Sequence, residues 1–233
     1  MTTGSYDARR GQIQTYFDRT ASEAWKRLTS DAPLGRIRAT VRAGRDAMRA
    51  TLLSWLPADL TGKRLLDAGC GTGLLSFEAA ARGATVVAID VAPTLIEHAK
   101  TRAAELPGPG SIDFQVGDML DPALGRFDYV VAMDSLIHYE MDDTLKVLAG
   151  LVARTDGALV ITFAPRTPLL ALMHFVGQFF PRTDRSPAIV PLEEKAFFER
   201  LSSDPAFTGW RVGRTVRIVK GFYISQALEL CPA

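Results

Sequence analysis

The sequence predicts an α/β protein: a doubly wound, mostly parallel, seven-stranded Rossmann-like sheet with an antiparallel C-terminal strand and an N-terminal helical cap. Three observations predict it. Between Lys63 and Phe163, short apolar and β-branched runs alternate with helix-length segments, the pattern of a parallel sheet covered on both faces. Within that alternation, Arg64-Leu65-Leu66-Asp67-Ala68-Gly69-Cys70-Gly71-Thr72-Gly73-Leu74-Leu75-Ser76 passes from strand through a glycine turn into a helix, a βα unit of the nucleotide-handling kind. Residues flanking the alternation read differently: the first 60 as basic helices, the last 25 or so as two strands.

Taken in order, Gly11 to Leu28 carries Ile13, Tyr16, Phe17, Trp25 and Leu28, which only loosely share a helical face. A second helix runs from Leu34 or Ile37 to Trp55, with Ile37, Val41, Met48, Leu52 and Leu53 apolar and Arg36, Arg38, Arg42, Arg45 and Arg49 basic. That basic side reads as a solvated face or an anion site. Strands follow at Lys63–Asp67, Thr85–Asp90, Ile112–Val116, Phe127–Met133 and Ala158–Phe163, with helices at Thr72–Arg82, Pro93–Glu105 and Asp142–Val152. Gly83 suits a helix C-cap and Pro93 a first helical turn. Prolines punctuate residues 164–200 around an apolar stretch from Leu169 to Phe180, too short to span a bilayer. Leu192–Leu201 is a further helix. Trp210–Val219 and Phe222–Leu230 read as a partly exposed edge pair of strands. The chain divides into an N-terminal helical arm or lid over 1–60 and a ligand-binding core over 61–233, with a substrate-side insertion at about 164–205.

Composition narrows the function. Net charge is +1, so nothing global favours nucleic acid. Residues 1–50 nevertheless hold ten Lys/Arg against five Asp/Glu, which gives the arm a task of its own. Cys70 and Cys231 are far apart and form no disulfide framework, and no His/Cys/Asp cluster has metal-site spacing. No signal-peptide core and no membrane-span-length apolar run is present. A cytoplasmic protein is expected, at most resting on a membrane surface.

The glycine turn decides between ligands. Gly69, Gly71 and Gly73 place the third glycine one residue too early for the G-x-G-x-x-G of pyrophosphate binding, and Asp67 at the strand tip would repel a pyrophosphate. The pattern D-x-G-x-G-x-G resembles the first motif of class I S-adenosylmethionine-dependent methyltransferases, whose cofactor carries an ammonium and a sulfonium and no phosphate. Ligands of a doubly wound sheet sit beyond the C-terminal strand ends. There Asp67, Gly69, Cys70, Gly71 and Gly73 would hold the amino acid end of the cofactor. Asp90, 23 positions after Asp67, would accept the ribose hydroxyls. Asp118 would accept the adenine amino group, with the Met119 N–H offered to a ring nitrogen. Val91, Gly117 and Met133 adjoin these strand ends and complete the cofactor set. One such acid alone could be a helix cap; three at successive strand ends fit a nucleoside.

The methyl acceptor is expected after the fourth strand, at Met133-Asp134-Ser135-Leu136-Ile137-His138-Tyr139. His138 could orient or deprotonate an acceptor or approach a metal, or it could pack behind the pocket. That segment, the core Leu65 to Gly73, and Thr15-Tyr16-Phe17-Asp18-Arg19-Thr20 with Trp25 together resemble magnesium-protoporphyrin IX methyltransferases, over nearly the whole chain. The resemblance implies transfer of a methyl group to one propionate of magnesium protoporphyrin IX, giving the monomethyl ester in chlorophyll or bacteriochlorophyll synthesis. It implies a mobile N-terminal cover, catalytic importance for Tyr16 and His138, and cooperation with the large subunit of magnesium chelatase. Magnesium would enter only with the substrate. Leu169 to Phe180 could wall a porphyrin or rest on a photosynthetic membrane. The alternatives are a methyltransferase of a quinone-type precursor and a non-catalytic tetrapyrrole escort.

Overall fold

The computed structural model describes residues 3–19, 35–103, 108–166 and 188–233 of the 233-residue chain. Its strands are β1 (Arg64–Ala68), β2 (Thr85–Asp90), β3 (Ser111–Val116), β4 (Phe127–Ala132), β5 (Thr155–Phe163), β6 (Trp210–Lys220) and β7 (Tyr223–Pro232). They form one sheet in the order β3-β2-β1-β4-β5-β7-β6. Strands β1 to β5 are parallel. β7 runs antiparallel to both β5 and β6, so β7 alone is reversed. The winding changes direction between β1 and β4, and the crevice above that switch point is where such sheets bind ligands.

The helices are α1 (Thr3–Arg19), α2 (Arg36–Ser54), α3 (Leu74–Ala81), α4 (Pro93–Ala103), α5 (Met141–Val152) and α6 (Glu194–Ser203). Each core strand turns alternate residues to opposite faces. In β1, Leu66 joins a layer with Val130, Ile161, Leu148 and Phe197. Its neighbour Leu65 joins the other layer, with Val86, Val160, Leu52 and Ile96. The near-continuous apolar runs of the strands are therefore two half-cores, one on each face of the sheet.

α2 belongs to the second layer. Met48, Leu52 and Leu53 are fully buried, and the helix packs over β6, β7 and α3. Each such side chain contributes roughly 2 kcal/mol of burial. Gly44 sits inside α2, where glycine costs about 1 kcal/mol against alanine. A Cβ there would lie 2.5 Å from the Tyr223 ring, so the glycine lets β7 approach the helix.

Two expectations need correction. The first helix starts at Thr3, well before Gly11. Among its described side chains only Tyr6 and Ile13, seven residues apart, are buried, and the polar Asp7-Ala8-Arg9-Arg10 between them hides the periodicity. The C-terminal pair does end the sheet, but only β6 forms the exposed edge: β7 lies between β5 and β6, with Ala227, Leu228 and Leu230 buried. Gln226 and Glu229 make β7 look half-exposed, yet both are buried and satisfied from β6. Arg217 Nε donates to Gln226 Oε1 at 2.8 Å and Arg214 Nε to Glu229 Oε2 at 2.8 Å. The Arg214 hydrogen bond holds the Glu229 carboxyl below its usual range. The stretch Leu169 to Phe180, with His174, and Trp25 lie outside the described residues.

Candidate active site

A cavity of about 450 Å³ opens beyond the C-terminal ends of β1, β2 and β4, within the range of small-molecule sites. α1, α2 and the β6–β7 hairpin close its other sides.

The glycine turn shapes one end. Gly69 and Cys70 donate their N–H groups to the Ile89 carbonyl at 2.8 and 3.0 Å. Gly69 has φ +82°, and a Cβ on it would lie 2.4 Å from Ser135 Cβ. Only glycine lets the loop after β4 close against the loop after β1. The Gly71 N–H donates to Asp90 Oδ2 at 2.9 Å, and Ala92 N–H donates to Asp90 Oδ1 at 2.9 Å. These bonds fix Asp90 at the tip of β2, while burial pushes its pKa up.

Asp67 is 2% exposed and accepts a hydrogen bond from Ser76 Oγ at 2.6 Å. It has no cationic partner among the described residues. Burial, reinforced by the nearby Asp90 charge, pushes it up to about 7 against the Ser76 hydrogen bond. Ser135 Oγ, also at the cavity, is buried without a hydrogen-bond partner. A buried anion without its cation and an orphaned hydroxyl fit a cationic, polar ligand at this end.

Asp67, Gly69, Cys70, Gly71, Asp90, Val91, Gly117, Met119 and Met133 all line this one cavity. Gly73 and Asp118 do not. Gly73, at φ +77°, starts α3, and a Cβ there would stand 2.9 Å from the Phe114 ring; its role is packing beneath the turn. The Asp118 carboxylate is held by α1: Tyr6 OH donates to Oδ1 at 2.7 Å, and Arg10 pairs with Oδ2. Leu120 N–H donates to Oδ1 at 2.9 Å.

The other end brings together Tyr16 and His138, 122 residues apart in sequence (138 − 16). His138 ends a 3₁₀ turn, Leu136–His138, and is 5% exposed. Its Nδ1 lies 3.3 Å from the Ala188 carbonyl; a proton on Nδ1 leaves Nε2 as the ring's acceptor. Phe17 bridges the two: its ring centroid is 5.2 Å from that of Tyr16, edge-on, and 6.2 Å from that of His138.

A hub of residues centred on Asp134 sits beside them. Asp134 adopts φ +54°, the left-handed region that a non-glycine residue rarely occupies. Its carboxylate meets Arg45 of α2 at 2.5 Å, the Tyr223 hydroxyl at 3.1 Å and Thr162 Oγ1 at 3.2 Å. Its N–H donates to Thr162 Oγ1 at 2.7 Å. Asp134 stands in the quoted segment after β4, but nothing local announces partners as distant as Arg45 and Tyr223.

α1 is fastened over the cavity at three points. Ser5 Oγ donates to Asp143 at 2.8 Å, Tyr6 and Arg10 hold Asp118, and Asp18 Oδ1 accepts the Thr94 N–H at 3.1 Å. The last contact caps α4 from another helix, because the residue before Pro93 is Ala92, which has no capping side chain.

Comparison with known proteins places this geometry. Residues 65–155 match a methyltransferase domain, and residues 132–232 match the C-terminus of magnesium-protoporphyrin IX methyltransferases. The chain is 50% identical over 226 residues to the magnesium-protoporphyrin O-methyltransferase of Rhodobacter capsulatus, covering 96% of each. It is 30% identical to the chloroplastic magnesium protoporphyrin IX methyltransferase of Arabidopsis thaliana, covering 94% of this chain and 70% of that one. The crystal structure of magnesium protoporphyrin IX methyltransferase from Synechocystis PCC 6803 with bound SAH superposes with a TM-score of 0.82 at 27% identity, covering 96% of this chain and 99% of that one. With half its residues shared along almost its full length, the chain belongs to the magnesium-protoporphyrin O-methyltransferase family.

Proposed function

We propose that this protein is an S-adenosylmethionine-dependent O-methyltransferase that esterifies one propionate carboxylate of magnesium protoporphyrin IX to the monomethyl ester, a step of chlorophyll or bacteriochlorophyll synthesis. The observation that carries it is one cavity joining the uncompensated Asp67 at one end to Tyr16 and His138 at the other. Family membership supports the acceptor.

When bound, the donor supplies a methyl group on a sulfonium centre. In this reading Asp67 meets its ammonium, supported by its burial without a cationic partner among the described residues, and the orphaned Ser135 hydroxyl offers a polar partner nearby. Asp90 retains lone pairs for ribose hydroxyls beyond the two backbone N–H groups it accepts. Asp118 can serve the adenine amino group only by sharing its carboxylate with Tyr6 and Arg10.

A propionate is already ionised near neutral pH, so the site needs no strong base. It must strip water from the carboxylate and align it for in-line displacement. Tyr16 hydrogen-bonds the acceptor and helps α1 close; His138 orients it. Ile13, Tyr16 and Phe17 of α1 form an apolar cover on that side. The large subunit of magnesium chelatase as the source of the porphyrin is supported by the sequence resemblance, and peripheral contact with a photosynthetic membrane by the apolar sequence from Leu169 to Phe180. Exposed Ile37, Val219 and Phe222 are compatible with a surface contact. No helix among the described residues is long and apolar enough to cross a membrane.

The test is incubation with labelled S-adenosylmethionine and magnesium protoporphyrin IX. The expected product is the labelled monomethyl ester. Transfer only to a quinone-type precursor overturns the porphyrin reading, and tight porphyrin binding without transfer turns the protein into an escort.

A further inference from the structure

The proposed acceptor carries two propionate arms, and only one is esterified. An enzyme making a monoester must hold the second carboxylate somewhere that is not the reaction centre. The described residues contain one cation suited to that task.

α2 turns Arg38, Val41, Arg45 and Arg49 toward the cavity. Their spacings of three, four and four residues place them on one helical face. Two of the three guanidinium groups are neutralised by carboxylates. Arg45 pairs with Asp134 at 2.5 Å, and Arg49 pairs with Asp46 at 3.0 Å and Glu78 at 2.5 Å. Arg38 is exposed and makes no hydrogen bond or ion pair among the described residues. It stands seven residues from Arg45, about 10 Å along the helix at 1.5 Å per residue. Arg45 marks the reacting end, because Asp134 follows β4 in the same loop that carries His138. Arg38 therefore sits outward from the chemistry by a distance that two flexible carboxylate arms on one rigid ring can bridge.

We propose that Arg38 is the receptor for the spectator carboxylate of a dianionic substrate, and that this ion pair makes the enzyme select one arm for methylation. A guanidinium gripping the reacting carboxylate would blunt the nucleophile; one gripping the other arm orients the ring at no such cost. Val41 lies between the two arginines on the cavity face and gives the apolar ring a surface. The inference rests on the activity proposed above.

The experiment compares magnesium protoporphyrin with an analogue whose spectator arm is a neutral amide, using the wild-type protein and Arg38→Gln. A charge-assisted hydrogen bond is worth about 10- to 100-fold. The wild type is expected to lose that factor in kcat/KM when the arm is neutralised. Arg38→Gln is expected to lose it on the natural substrate, show no further loss on the analogue, and release a mixture of the two regioisomeric monoesters. S-adenosylmethionine affinity, read by calorimetry, is expected to stay unchanged. If neutralising the arm costs Arg38→Gln as much as it costs the wild type, Arg38 does not hold that carboxylate and the inference fails. If the wild type esterifies neither compound, the activity itself has been misread.

Discussion

With 2% of its surface exposed, Asp67 holds a proton up to about pH 7 because burial outweighs its hydrogen bond from Ser76. An unfolded aspartate titrates near 4. Between those values the folded, donor-free protein binds the extra proton, so its stability falls as pH rises from about 4 to 7. A cationic ligand reverses the preference. Donor binding below pH 7 should release close to one proton, and affinity should rise with pH until it levels above 7. Calorimetry in buffers of different ionisation enthalpy reads the proton directly. Asp67→Asn should lose the pH dependence and about 10- to 100-fold in affinity; an unchanged proton count would show that another group titrates. At the acceptor end, Tyr16→Phe and His138→Ala are expected to lower kcat about 10- to 100-fold, the scale of misplaced reactants. Donor affinity should survive both changes; its collapse in steady-state and binding assays would reassign the two residues. Asp67 and Asp90 were legible in the sequence because each ends a strand whose position could be counted. Asp134 and Tyr223 were not, because what defines them is an 89-residue reach to each other (223 − 134). Asp118 was visible as a strand-end acid, but its engagement by Tyr6 and Arg10 depends on where α1 lies.

The docking of α1 uses mostly polar contacts, with Tyr6 and Ile13 as its buried apolar residues. A helix held this way opens at lower cost than one packed into the core. Asp18→Ala removes the contact that both ties α1 down and caps α4, a loss of about 1 kcal/mol. Amide hydrogen exchange in α1 should quicken about five- to tenfold while α2 stays protected, because Met48, Leu52 and Leu53 bind α2 to the sheet. Equal acceleration in both helices would mean that they form one cover. The sequence located α2 within a residue or two because its apolar positions recur at helical spacing. It placed the start of α1 too late because two anchors seven residues apart leave too little pattern. The burial of β7 was not legible for a related reason: its buried Gln226 and Glu229 are answered by arginines of β6, a pairing visible only once the register is known.

The two apolar layers share a single sheet, with Leu65 and Leu66 of one strand serving opposite sides. Neither half-core can dissolve while the sheet stands, so the described body should melt in one calorimetric transition. Saturation with S-adenosylhomocysteine at a hundred times its Kd adds about 2.7 kcal/mol, a rise in Tm of about 5–10 °C for a chain of this size. Two separated transitions, only one of them ligand-sensitive, would contradict this. The sheet was legible from apolar alternation, since strands buried on both faces leave little room for other patterns. The position of β7 inside it has a further consequence in time. Ribosomes deliver β1, β2 and β3 before the other strands, and with them Asp67 and Asp90, proposed above to meet the methyl donor. Tyr223 and Ser225, which complete the opposite wall, emerge only after every other strand. A growing chain therefore completes the proposed donor end of the cavity before the wall supplied by β7, and translation itself sets that sequence.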